Sequence, residues 1–150
     1  MQKQLLSVFS SIAIAFLFIT GCGKDETPAA PTNSQLITQG SWKFEKATAG
    51  GSDISSSVNA CFKDNIATFN ISGNMALDEG TTVCSPTSYA GSYTWTFQEN
   101  ETVLHLSAPI FTGGSSDFGL VSLDGTNLVV EQIMTVAPYP PTTVQVTFKH

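Results

Sequence analysis

The chain contains no arginine, and that absence narrows its partners at once. No guanidinium is available as a bidentate clamp for phosphate or carboxylate. Six lysines face twelve acidic residues, a formal charge of −6 at pH 7. An acidic surface repels nucleic acid and anionic headgroups, so nucleic-acid binding is not expected. Histidines are scarce as well, only His105 and His150, and zinc, which takes four ligands, finds too few donors here; no metal or cofactor is expected. There is no Gly-x-Ser-x-Gly elbow and no glycine-rich phosphate cradle. His105 lies between Leu104 and Leu106, which places it on the opposite, solvent-facing side of a strand. The adjacent Asp78 and Glu79 likewise face opposite sides and cannot act as an acid pair. No nucleophile, base and orienting group assemble, so the sequence predicts a protein without catalytic activity.

Long apolar runs are also missing, with one short exception at the amino end. Residues 5–19 are mostly apolar but are diluted by Ser7, Ser10 and Ser11, and they fall short of the about 20 residues that span a bilayer. With Lys3 ahead of the run and small residues after it, residues 1–21 read as a secretory leader. The leader ends in Ile19-Thr20-Gly21-Cys22, which resembles the lipobox of bacterial lipoproteins. The resemblance implies cleavage before Cys22 and acylation of that residue, with palmitate-like chains holding the protein to membrane lipid. Without the leader, five lysines face the twelve acids and the net charge is −7.

Cysteine counting agrees with an exported protein. Three cysteines would leave one unpaired, and acylation of Cys22 removes the oddity. Cys61 and Cys84 remain, and outside the reducing cytoplasm a disulfide between them is expected. It would contribute about 3 kcal/mol by restricting the unfolded chain.

From Cys22 to Gln39 the chain carries Pro28, Ala29, Ala30 and Pro31 without apolar periodicity, and reads as a flexible tether. The 111 residues from Gly40 to His150 suffice for one domain with its own core. Within them the apolar period is two. Ala67, Phe69 and Ile71 alternate with polar residues, as do Tyr93, Trp95 and Phe97, and Val144, Val146 and Phe148. Phe118, Leu120, Val121 and Leu123 form a denser run, suggesting burial on both faces. Turn signals at Ser72-Gly73-Asn74, Glu99-Asn100-Glu101 and Asp124-Gly125 separate these runs. Strands are predicted at 41–48, 53–59, 65–71, 74–79, 90–98, 101–107, 117–123, 126–136 and 142–149. This is an all-β pattern, and it suits an antiparallel up-and-down β-barrel of about eight strands. A β-sandwich satisfies the same periodicity.

Gly40-Ser41-Trp42 resembles the Gly-x-Trp motif that opens the first strand of lipocalins. The wider order of Cys61-Phe62-Lys63-Asp64-Asn65, Phe69, Gly73, Cys84, Tyr93, Trp95 and Leu128 is similar to the lipocalin-like domains of outer-membrane lipoproteins in one phylum of Gram-negative bacteria. The resemblance implies that Gly40 and Trp42 close one end of a barrel. In lipocalins an arginine packs over that tryptophan; this chain has none, and Lys149 is the only late cation. Lys24-Asp25-Glu26, just after Cys22, resembles the signal that sends such lipoproteins to the cell surface, the periplasmic face being the alternative.

An eight-stranded barrel either holds one small ligand or is filled by side chains. The residues expected inside include Phe69, Tyr93, Trp95, Phe97, Leu104, Leu106, Leu128, Val130 and Phe148, and loop residues Phe111 and Tyr139 are candidates for a rim. Two functions follow. One is a lipid-anchored carrier of a small hydrophobic ligand, and the other is a non-enzymatic envelope module with a solid barrel whose loops meet a partner.

Overall fold

A computed structural model describes residues 29–135 and 140–150 of the chain. Its strands are β1 (Ser41–Ala49), β2 (Ser52–Asp53), β3 (Ile66–Phe69), β4 (Asn74–Asp78), β5 (Gly91–Gln98), β6 (Val103–Leu106), β7 (Asp117–Leu123), β8 (Asn127–Met134) and β9 (Thr142–Lys149). All pair antiparallel in the order β2-β1-β3-β4-β5-β6-β7-β8-β9, and β1 also pairs with β9. That last pairing closes a ring of eight strands, with β2 a two-residue strand folded back antiparallel beside the end of β1. Closure selects the barrel over the sandwich, because a ring leaves no open sheet edge.

Alternation along each strand builds the interior. In β4 Met75 and Leu77 are buried between exposed Asn74, Ala76 and Asp78; in β8 Leu128, Val130 and Gln132 turn inward. Two bulges reset the phase. Between Phe44 and Lys46 the register of β1 against β9 shifts, so Trp42 and Phe44 face inward before it and Ala47 and Ala49 after it. The second lies between Leu120 and Ser122 of β7. It turns Val121 outward, 47% exposed, while Phe118 is buried and Leu120 and Leu123 pack against the core. The dense apolar run is thus a bulged strand rather than one buried on both faces.

The hairpins face opposite ends of the barrel. At one end, Asn70 to Gly73 turn tightly between β3 and β4: the Gly73 N–H donates to the Asn70 carbonyl at 3.0 Å and the residue takes φ +83°, a conformation that suits glycine. The other end carries the longer connections 50–65, 79–90 and 107–116.

Two predicted elements differ. The strand predicted at 53–59 is instead β2 followed by a 3₁₀ turn (Ser55–Ser57) and helix α2 (Ala60–Lys63). Local bonds win there: the Asp53 carboxylate accepts from the Ser55 N–H at 2.8 Å, and the Ser55 hydroxyl accepts from the Ala47 N–H at 3.0 Å. Side chains that satisfy nearby backbone compete with a ladder. The tether, too, ends earlier than Gln39. Residues Asn33–Ile37 form helix α1, opened by a capping box in which Thr32 and Gln35 exchange side chain to backbone bonds. Ile37 is fully buried in the core.

Candidate ligand cavity

Trp42 forms the floor of the barrel. It is fully buried, and its indole N–H donates to the Ile37 carbonyl at 2.8 Å, tying α1 to the first strand. On it rests the His150 ring, with centroids 3.9 Å apart. Gly40 leaves the space for this ring, since a Cβ there would lie 2.8 Å from His150 Nδ1. Lys149 does not share in the closure; its ammonium meets the Glu45 carboxylate at 2.9 Å. The ring over Trp42, where lipocalins place an arginine, belongs not to Lys149 but to the next residue.

Above this floor lies a cavity of about 600 Å³, walled by Phe69, Met75 and Leu77, by Leu104, Leu106 and Phe118, and by Leu128, Val130, Val144 and Phe148. The volume lies within the range of about 300–1,000 Å³ common to small-molecule sites. The barrel is therefore hollow, which corrects the side-chain-filled alternative. Small residues account for the space: Ala47, Ala49 and Ala67 turn inward where larger side chains would meet.

The candidate residues divide. Phe69, Leu104, Phe111 and Leu128 line the cavity, whereas Tyr93, Trp95 and Phe97 do not. The latter three pack the adjoining wall. Trp95 meets Phe69 and Phe97 edge to face at 5.5 and 5.7 Å, and its N–H donates to the Asn70 carbonyl at 3.1 Å. The Tyr93 hydroxyl donates to the Tyr89 carbonyl at 2.6 Å; burial first, then Glu79 and Tyr89, raises its pKa. Tyr139 and Cys22 lie outside the described residues.

The mouth is built by loops. Above Lys43, β1 no longer pairs with β3, and the segment 50–65 contributes Ile54, Val58 and Phe62 to the cavity there. Two ties hold that segment to the loop 79–90. One is the Cys61–Cys84 disulfide, spanning 23 residues with Cα atoms 5.1 Å apart. The other is Asp64, whose Oδ2 accepts from the Thr81 and Thr82 N–H groups at 2.9 Å and from the Thr81 hydroxyl at 3.0 Å. Desolvation works to raise the Asp64 pKa, yet these bonds outweigh it and the carboxyl is held below its ordinary 3.8. Gly80 permits the approach: it has φ +64°, and a Cβ there would lie 2.7 Å from the Asp64 carbonyl oxygen.

Aromatic side chains rim the opening. Phe62 stands 5.8 Å from Tyr89 and 6.4 Å from Phe111, and Phe111 stands 6.1 Å from Phe118. Phe111 folds back over Gly114, where any Cβ would collide with its ring. Each aromatic pair contributes about 0.5–1.5 kcal/mol beyond burial.

Two polar residues inside were not anticipated. Gln132 accepts from the Ser115 N–H at 2.9 Å and donates to the Ser115 and Asp117 carbonyls at 3.1 and 2.7 Å, pinning the loop that carries Phe111. Glu79, 2% exposed, accepts from the Ser88 hydroxyl at 2.8 Å and the Tyr89 N–H at 2.6 Å. Period-two alternation from Met75 and Leu77, and from Leu128 and Val130, reaches both positions, and only their polarity argues against an inward placement. His105 stands outside, its ring bonded to Asp117 of the neighbouring strand.

The family model described as a lipocalin-like domain matches residues 38–130. The chain belongs to the lipocalin-like domain family. The matched segment includes the floor at Trp42, the disulfide and the aromatic mouth, while β9 and His150 lie beyond it. A search of curated proteins found no match.

Proposed function

We propose that this lipocalin-like protein binds a small hydrophobic molecule inside its barrel and acts without catalysis, held to the outer membrane by acyl chains on Cys22. The observation that carries the binding reading is the 600 Å³ cavity with its apolar wall and aromatic mouth. Burial of ligand surface there supplies about 25 cal/mol per Å² before the costs of association. The anchor rests on the leader and the Ile19-Thr20-Gly21-Cys22 sequence, and display at the cell surface on Lys24-Asp25-Glu26.

Titration with the neutral fluorophore N-phenylnaphthylamine tests the binding. Trp42 borders the cavity and Trp95 does not, so a Trp95→Phe variant should report entry through quenching of Trp42. Ala47→Phe, which fills the cavity from β1, should abolish the signal while the far-ultraviolet spectrum of the folded barrel persists. Saturable binding unchanged by Ala47→Phe would remove the barrel interior as the site. For the anchor, Cys22→Ser should release the protein from the membrane fraction and abolish palmitate labelling. Protease treatment of intact cells separates surface display from the periplasmic face.

A further inference from the structure

The chain enters the barrel at its closed end, and that restricts which way the mouth can open. Helix α1 lies across that end. Near its start the Ser34 hydroxyl donates to Glu101 Oε1 at 3.3 Å, in the turn between β5 and β6. At its other end the Ile37 carbonyl accepts from the Trp42 indole, and Gln39, just beyond, stands by Gly125 in the turn between β7 and β8, where a Cβ would lie 3.9 Å from Gln39 Oε1. Both turns belong to the end opposite the connections 50–65, 79–90 and 107–116 that surround the mouth. Thr32, which caps α1, is thereby fixed on the floor side of the barrel.

The lengths involved decide the orientation. Strand β1 has nine residues, Ser41–Ala49, and at about 3.3 Å per residue and a tilt of about 40° it rises about 20 Å along the barrel axis. The mouth loops add to that height. Thr32 follows Cys22 by ten residues, and a chain of ten residues relaxes to about 16–19 Å and reaches about 36 Å at most. With the floor toward the membrane the link needs no stretching. To bring the mouth there it would have to run back along the whole barrel and its loops, which takes most of its full extension and costs chain entropy.

We infer that the mouth opens away from the membrane that holds the anchor, so that the hydrophobic ligand is taken up from the aqueous side and not drawn from the anchoring bilayer. The inference rests on the Cys22 anchor and the carrier reading above. To test it, the full chain is purified from its own membranes with a thiol introduced by Ile71→Cys at the closed end or Ser56→Cys beside the mouth, both exposed positions outside the cavity lining. Each protein is labelled with a fluorescent donor and reconstituted in phosphatidylcholine vesicles holding a lipid-borne acceptor. Energy transfer should place the Ile71 label nearer the lipid by about 20 Å; equal or stronger transfer at Ser56 would overturn the inference and leave the anchor and the cavity standing. Stopped-flow uptake of N-phenylnaphthylamine, with Ala47→Phe as the blank, should run at one rate in the anchored protein and in Cys22→Ser protein mixed with the same vesicles. Faster uptake by the anchored protein would mean transfer straight from the bilayer and would also overturn the inference. Retention of Cys22→Ser in the membrane fraction, or absence of any fluorophore binding, would overturn the reading beneath it and the inference together.

Discussion

His150 lies on Trp42 with ring centroids 3.9 Å apart, and Gly40 leaves the room for it. Gly40→Ala should push the ring off the indole and cost about 0.5–1.5 kcal/mol, the worth of such a contact. In a His150→Ala background the same substitution should cost almost nothing. A double-mutant cycle in urea measures the coupling; additive penalties would mean that Gly40 acts through something other than this ring.

Ile37 makes α1 part of the folded unit. Ile37→Ala should destabilise the barrel by about 2–4 kcal/mol in chemical denaturation, because a fully buried side chain is lost. Trp42→Phe should cost about 1–3 kcal/mol through the Ile37 carbonyl left without its donor.

Gln132 spends its amide on Ser115, in the loop that carries Phe111, and on Asp117 at the start of β7. Gln132→Leu should strip those bonds, cost about 1–3 kcal/mol, and speed hydrogen exchange at Ser115, whose N–H it holds. Exchange at the Leu77 amide, on the β4 wall, should stay slow.

Replacing Cys61 and Cys84 together by alanine should cost about 3 kcal/mol and lower Tm by about 10 °C. Binding should weaken too, because the pair ties Phe62 and its helix to the loop holding Tyr89. Thermal scans with and without reductant provide the comparison.

Acid should loosen the same mouth. Asp64 titrates below its ordinary 3.8 in the folded state, so its contribution is complete above the unfolded-state value, about 3.9, and is lost as pH falls through the lower folded value. Asp124 behaves alike, lowered by bonds from the Asn127 and Thr126 N–H groups in the β7–β8 turn. Stability measured against pH should therefore fall below about pH 4, and Asp64→Asn should flatten that fall.

Much of the fold is legible in the sequence because a β-strand repeats every two residues. Tyr93, Trp95 and Phe97, or Val144, Val146 and Phe148, mark an inward face without knowledge of their neighbours. Where local bonding competes, the signal fails: three serines at 55–57 carry no strand, although Ile54 and Val58 flank them at the cavity. Bulges defeat it as well, since one extra residue at Glu45 or Val121 reverses the face of all that follows.

The alternating strands, the acidic and arginine-free character and the cysteine pair are legible in the chain because each is a property of residue type or local spacing, whereas the floor role of Trp42 is legible only through the resemblance of Gly40-Ser41-Trp42 to the lipocalin motif. That β9 returns to β1 and closes the ring, that Trp95 packs a wall while Phe69 faces a cavity, and that His150 covers Trp42 emerges only in the folded chain. Those outcomes depend on residues as much as 108 positions apart meeting in space. Volume left between side chains is a property of the closed ring as a whole, and no single strand encodes it.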